Sequence, residues 1–322
     1  MTLKTTSAAK PKAGTGSASV FIDGEAGTTG LQIAERLSSL KGIALRSIDP
    51  KFRKDAAARA DLMAACDLVV LCLPDDAAKE AVALAGALGA KAPKIIDASS
   101  AHRIAPGWVY GFAELAPSQA DAIRKAKHVA NPGCYPTGAI ALIRPLADAG
   151  MIAKDHPVTV NAVSGYSGGG KSMIESYEVA KTAPAFELYG LGLEHKHVPE
   201  LMTYAHLKRR PIFVPSVGNF KQGMLVSVPL HLDTLPGKPS LKDIEAVLAK
   251  RYAGSDRVRV VPDASKLGRL EPEALNNSDK LELYVFGNAA HNHALLVARL
   301  DNLGKGAAGA AVQNLQLMLG LA

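Results

Sequence analysis

Two clusters in this chain carry residue types at spacings that could do chemistry. The run Asn131-Pro132-Gly133-Cys134-Tyr135-Pro136-Thr137-Gly138 sets a cysteine among prolines and glycines, after a short strand and at the opening of a helix. A thiol there feels the positive end of the helix macrodipole, which favours the thiolate. Open α/β sheets also place their ligands at the C-terminal ends of strands. Cys134 therefore reads as a nucleophile rather than a packing residue. Such a thiolate wants an acid/base partner. The densest polar cluster, Glu194-His195-Lys196-His197-Val198-Pro199-Glu200, offers His195 and His197. Extended backbone would put both on one face and a helix would not. No nearby residues complete a metal-ligand set around them. His291 and His293 form another H-x-H pair beside a strand, while His128 and His231 read as surface or packing residues.

A third motif binds rather than reacts. The apolar run 20–23 leads directly into Gly24-Glu25-Ala26-Gly27-Thr28-Thr29-Gly30 and then a helical pattern. Glycines in a strand–turn–helix setting let the backbone approach a pyrophosphate, which rests on the helix N-terminus beside residues such as Thr28 and Thr29. NAD binders usually end the next strand with an acid that holds the ribose 2′-hydroxyl. Here Arg46 and Ser47 stand at about that place, with Arg53 and Lys54 close behind. An arginine fork suits a phosphate, so NADP is the expected cofactor, with Asp49 as the counter-argument.

The elements that must position these residues fall into two textures. Strand-like runs at 20–23, 43–48, 68–73, 95–96 and 128–130 alternate with helical spacing at 29–40 and 76–88. That alternation predicts a Rossmann-type, doubly wound parallel sheet. After a helix at 137–146, the alternating runs 158–163, 225–230, 281–286 and 294–300 predict a mixed sheet in an α+β domain, closed by a helix at 306–319. The expected organisation is a disordered leader at 1–18, a dinucleotide domain at 19–135 completed by 301–322, and a catalytic and oligomerisation domain at 136–300.

Bulk properties agree. A chain of 322 residues exceeds one compact core. No apolar run reaches the ~18–20 residues of a membrane span. The three cysteines match no zinc pattern and make a poor disulfide framework, which points to a reducing, cytoplasmic compartment. Cys66 and Cys72 flank an apolar strand and read as small core residues. Three of the seven net positive charges come from Lys4, Lys10 and Lys12 in the leader, which has no apolar signal region. The remainder suits small anionic ligands and makes no basic stripe for nucleic acid.

Taken together, these motifs resemble the N-acetyl-gamma-glutamyl-phosphate reductase family, in its shorter branch, within the aspartate-semialdehyde dehydrogenase superfamily. The resemblance spans nearly the whole chain after the leader. It rests on the glycine loop, Asp97-Ala98-Ser99-Ser100-Ala101-His102-Arg103, Tyr110-Gly111-Phe112-Ala113-Glu114-Leu115 and the Asn131–Thr137 run. It continues through Ser164-Gly165-Tyr166-Ser167-Gly168-Gly169-Gly170-Lys171, the Glu194–Glu200 run, and the stretch from Asp301 to Asn314. The resemblance implies an NADP-dependent reductase of an acyl phosphate in arginine biosynthesis. Cys134 would be the nucleophile that forms a thioacyl intermediate, and His197 the acid/base. Arg103, Lys171, Glu114 and Ser167 would contact substrate. Asn314 would lie near the nicotinamide, and the chain would form dimers or tetramers. Rival readings are aspartyl phosphate or acetyl-aminoadipyl phosphate as substrate, or a non-catalytic NADP-binding regulator.

Overall fold

Short apolar runs bounded by turns build the first sheet in the computed structural model, which describes residues 17–321. Residues 1–16, most of the expected leader, lie outside the described residues. Strand β1 (Ala18–Asp23) starts one residue inside that leader, with Ala18 already paired to Ile43. It is followed by β2 (Ile43–Arg46), β3 (Leu68–Leu71), β4 (Lys94–Asp97), β5 (Val109–Tyr110) and β6 (His128–Ala130). The order across the sheet is β2-β1-β3-β4-β6-β5, and every pairing is parallel.

Side chains alternate across a strand, and here both faces are covered. Val20 and Ile22 pack with Ile33 and Leu37 of α1 (Thr28–Ser38). Phe21 points the other way, against Met63 of α2 (Ala56–Ala64) and Ala78 and Ala81 of α3 (Asp75–Gly86). Helix α4 (Gln119–Lys125) adds Ile123 to the first face. This is the doubly wound arrangement that the strand–helix alternation predicted. The chain runs from β1 to one side for β2 and to the other for β3, so the switch point lies between β1 and β3, where such sheets open a crevice. Gly24 opens the turn there with φ +91°, and a Cβ on it would lie 2.3 Å from the carbonyl oxygen of Cys72. Only glycine lets the loop press so closely on the end of β3.

Helix α5 (Cys134–Asp148) carries the chain to the second sheet. It begins three residues before the expected start, with Pro136 in the first turn, where an N–H would have no intrahelical acceptor and its lack costs nothing. The remaining elements are β7 (Thr159–Gly165), α6 (Gly170–Glu178), β8 (Phe186–Leu188), α7 (Val198–Tyr204), β9 (Ile212–Gly218), β10 (Met224–His231), α8 (Leu241–Arg251), β11 (Val258–Val260), β12 (Leu281–Asn288) and β13 (His293–Leu300). Their sheet is mixed, in the order β11-β12-β13-β10-β7-β9-β8. One face packs on α5, α7 and α8 through Ile140, Leu201 and Leu248 against Val160, Val226 and Leu296. The other face holds an open apolar groove lined by Leu188, Val214, Leu225, Leu295 and Val297. After β13 a single π turn, Gly304–Ala308, leads into α9 (Gly309–Leu319). Ala311 and Leu315 of α9 return to the first domain and pack with Val20 and Ile22.

Candidate active site

Between the two sheets lies a cleft of about 390 Å³, lined by Thr28 and Thr29 of the glycine loop, Arg103, Cys134, Ser167, His195 and His197 among others. That volume is ordinary for a small-molecule site. Cys134 is the first residue of α5, after Gly133 in extended conformation. The turn 131–133 is held by side chains from distant parts of the chain. Arg103 Nη1 donates to Glu200 Oε1 at 2.5 Å and Nε to the Asn131 carbonyl at 3.1 Å. Glu200 Oε2 accepts from the Tyr110 hydroxyl at 2.8 Å and from Gly133 N–H at 3.1 Å. Two of these groups converge with His197 at one point. A Cβ on Gly133 would lie 2.6 Å from Glu200 Oε1, 2.7 Å from Arg103 Nη1 and 2.8 Å from His197 Nε2.

The two histidines separate by environment. His197 sits just before α7 and is buried, with Nδ1 lacking a partner. His195 Nδ1 accepts from the His197 N–H at 3.1 Å, and its ring packs edge-on to Tyr189 and Phe213. Burial, then the nearby Arg103 guanidinium, holds His197 well below the usual imidazole range. Burial, assisted by Lys196, pulls His195 down to about 4. Both are neutral at pH 7.

Cys134 departs from the sequence expectation of a stabilised thiolate. Burial pushes its thiol up to about 11, and the opposing pull of Arg103 and of the Tyr135 N–H does not compensate. Cys134 therefore rests as a thiol. The rate of Cys134 alkylation by iodoacetamide, mapped by mass spectrometry, should keep rising with pH toward 11. A plateau near neutral pH would show that the free enzyme already holds the thiolate.

The other expected site residues divide. Ser167 is buried in the cleft wall, its Oγ accepting from Asn302 Nδ2 at 3.0 Å. Lys171 is exposed in the first turn of α6 and is absent from the cleft lining. Glu114 is placed differently from the substrate contact that the resemblance implies. Its carboxylate pairs with Lys305 at 2.6 Å and accepts from Gln313 at 2.8 Å, and it is absent from the cleft lining. A buried carboxylate takes the nearest cation, here one 191 residues away in sequence. His291 and His293 sit at the β12–β13 turn, where His293 packs against His231. Sequence reading passed over Glu200 and Tyr110 as chemistry, although both lie within the quoted motifs. It also gave Asn131 no role of its own.

The residues suited to a dinucleotide fit NADP. Arg46, the last residue of β2, has a buried Nε with no partner. Ser47 beside it is exposed. The acids nearby are engaged elsewhere: Asp49 caps the turn at Pro50–Phe52, and Asp23 pairs with Arg59 at 2.6 Å. Gly24, Gly27 and Gly30 leave the N-terminus of α1 open, with no side-chain cap. Asn314 is fully buried and donates to the Gly111 carbonyl and Asn131 Oδ1, leaving its own Oδ1 without a partner.

A doubly wound domain joined to a mixed-sheet domain, with a cysteine at the seam, defines the semialdehyde dehydrogenase class. Two family models agree: the semialdehyde dehydrogenase NAD binding domain matches residues 20–123 and the semialdehyde dehydrogenase dimerisation domain residues 134–302. The fold is similar to that of aspartate semialdehyde dehydrogenase II from Vibrio cholerae, with TM-score 0.70 and 16% identity over 94% of this chain and 99% of that one. It is also similar to aspartate semialdehyde dehydrogenase with NADP from Candida albicans, with TM-score 0.63 and 14% identity over 94% and 98%. The N-acetyl-gamma-glutamyl-phosphate reductases of Brucella ovis and Brucella canis are each 55% identical over 308 residues, covering 94% of this chain and 98% of theirs. The chain belongs to the N-acetyl-gamma-glutamyl-phosphate reductase family.

Proposed function

We propose that this chain reduces N-acetyl-gamma-glutamyl phosphate to N-acetylglutamate semialdehyde and phosphate in arginine biosynthesis, with NADPH as reductant. The observation that carries this reading is the meeting of Cys134, His197 and Arg103 in one cleft that Thr28 and Thr29 of the glycine loop also line. We assign Cys134 as nucleophile and His197 as acid/base. Arg46, Ser47, the glycine loop and Asn314 would hold the cofactor. Arg103 and Ser167 would meet the substrate, with Lys171 at the rim. The cytoplasm suits a chain whose three cysteines are all free, and among the described residues no helix is long and apolar enough to cross a membrane.

The resting protonation states direct the mechanism. The Cys134 thiol gives its proton to neutral His197 as sulfur bonds to the acyl carbon and the carbonyl becomes an oxyanion. The N–H groups of Cys134 and Tyr135, in the first turn of α5, have no intrahelical acceptor and can receive that oxyanion. As the oxyanion collapses, the carbon–oxygen bond to phosphate breaks, and His197 returns its proton to the departing phosphate oxygen. Arg103 adds positive charge beside the phosphate. A Cys134 thioester remains. A nicotinamide cofactor held by the glycine loop, Arg46, Ser47 and Asn314 would supply the hydride that the thioester carbon needs. A second proton, taken up from solvent through His197, then reaches the Cys134 sulfur as the aldehyde leaves. Burial makes a bare thiolate a poor leaving group here, so this protonation matters as much as the first transfer.

We further propose that the open groove on the second sheet is where two copies meet. Leu188 and Leu295 are 49% and 39% exposed on it, and large exposed apolar patches mark interfaces. Leu295→Glu should convert a dimer to monomers in sedimentation analysis; an unchanged assembly would remove this face as the interface.

The reaction itself is tested in reverse. Phosphate-dependent reduction of NADP by N-acetylglutamate semialdehyde, followed at the nicotinamide absorbance, should be rapid, and aspartate semialdehyde should be a poor substitute. Activity with aspartate semialdehyde alone would move the chain to the sister activity, and silence with both would overturn the reading.

A further inference from the structure

Lys305 is 1% exposed, an unusual place for a side chain that ordinarily keeps its ammonium in water. Its Nζ donates to Glu114 Oε2 at 2.6 Å and to Gln313 Oε1 at 2.7 Å, and it lies 5.4 Å from the centre of the Phe112 ring. Gln313 Nε2 closes the triangle on Glu114 Oε1 at 2.8 Å. Burial pulls Lys305 below its ordinary value against the pull of Glu114. Glu114 is held low by Lys305 and Gln313 in spite of its burial. Well-packed apolar residues of the same volume would often be as stabilising as such a buried pair, so stability alone is a weak account of it.

The backbone that carries Lys305 supplies a better account. Gly304–Ala308 is a single π turn, a geometry that is rare in proteins and frequent at functional sites. It lines the cleft through Gly306 and Ala307, as does Leu303 just before it. A Cβ on Gly306 would lie 2.9 Å from Cys134 Cβ and 3.3 Å from its Cα, so the turn rests directly against the nucleophile. The carbonyl of Ala307 accepts from Asn131 Nδ2 at 3.0 Å, and the carbonyl of Asn131 accepts from Arg103 Nε at 3.1 Å. A shift of this turn would reach both the sulfur and the guanidinium. Glu114 follows β5 in the first domain, and Gln313 lies on α9 after the chain has returned to it.

We infer that Glu114, Lys305 and Gln313 are positioning residues, a buried charged clamp that fixes the π turn against Cys134 and sets where the thiol and Arg103 stand. The inference rests on the reading of Cys134 as nucleophile, and its test keeps the two separable.

The experiment compares full-length wild type with Lys305→Met, Glu114→Gln and the double variant. Three quantities are measured well below the melting temperature: kcat and KM for phosphate-dependent NADP reduction, the iodoacetamide rate at Cys134 as a function of pH, and the melting temperature. Displacing the reacting groups by a fraction of an ångström to 1 Å should lower kcat by roughly 10- to 100-fold, with KM for NADP unchanged and a displaced pH profile of alkylation. The double variant, which leaves no lone buried charge, should recover melting temperature but not kcat. Variants that melt earlier yet keep wild-type kcat and the wild-type alkylation profile would reduce the triad to a stability element and overturn the inference. Should a single variant fail to fold, Gln313→Leu keeps the ion pair and removes only its bridging amide; the same readouts then decide in the same way. The alkylation profile needs no substrate. It therefore judges the clamp even if the wild type proves inactive on the acetylated semialdehyde, a result that would overturn only the proposed substrate.

Discussion

Cys134→Ser is expected to lower phosphate-dependent turnover by roughly 10⁴-fold or more while NADP affinity is retained. The thiol does two things that a hydroxyl in the same place does poorly. It ionises at a pH that a neutral imidazole can help it reach, even with burial holding it near 11. Once protonated, it also leaves the thiohemiacetal more readily than a hydroxyl would. A serine would need a far stronger base than His197, which burial and Arg103 make weak. The substitution removes little volume and no hydrogen bond that holds the 131–133 turn, because that turn is fixed by Glu200, Arg103 and Asn314. The loss should therefore appear in kcat and in the absence of a thioacyl adduct by intact-protein mass spectrometry. A serine variant with more than about a tenth of the wild-type rate would end the case for covalent catalysis at this residue.

His197→Asn should cost roughly 10²–10⁴ in kcat at neutral pH. The sign of its pH dependence follows from the resting states. Wild type needs His197 to take the Cys134 proton because solvent seldom does so below pH 11. As pH rises toward that value the thiol ionises unaided, so the variant should regain activity relative to wild type. A constant ratio across pH would mean that His197 is not the group that takes this proton. His195→Asn is the control. His195 brackets His197 through its 3.1 Å hydrogen bond and its packing on Tyr189 and Phe213, so its loss should be the smaller. If it is the larger, the two histidines exchange roles.

Local patterns made most of the first sheet legible. The apolar runs of β1, β3 and β6 and the glycine loop carry their own boundaries, since a buried parallel strand must be apolar and a tight turn must be glycine. Much of the second domain was harder to read. Strand β9 contains Pro215, a residue that ordinarily argues against an interior strand. Helix α8 did leave a signal that could have found it: Ser240 and Asp243 form a reciprocal cap at its start. Helices α6 and α7 are short and tied to loops, so their periodicity is too brief to register.

For the site, residue type and spacing determined which groups are reactive: the cysteine at a helix start, the paired histidines and the phosphate-binding loop. These are properties of a few consecutive residues, and no packing was needed to see them. Tertiary structure decided the partners and the charge states. Glu200 reaches Arg103 across 97 positions and Glu114 reaches Lys305 across 191, contacts that no local window contains. The clearest case is Cys134 itself. The helix start argues for a thiolate, yet burial in the cleft wall wins and keeps the thiol. Desolvation depends on everything that surrounds the sulfur, and the sequence near it records only the dipole.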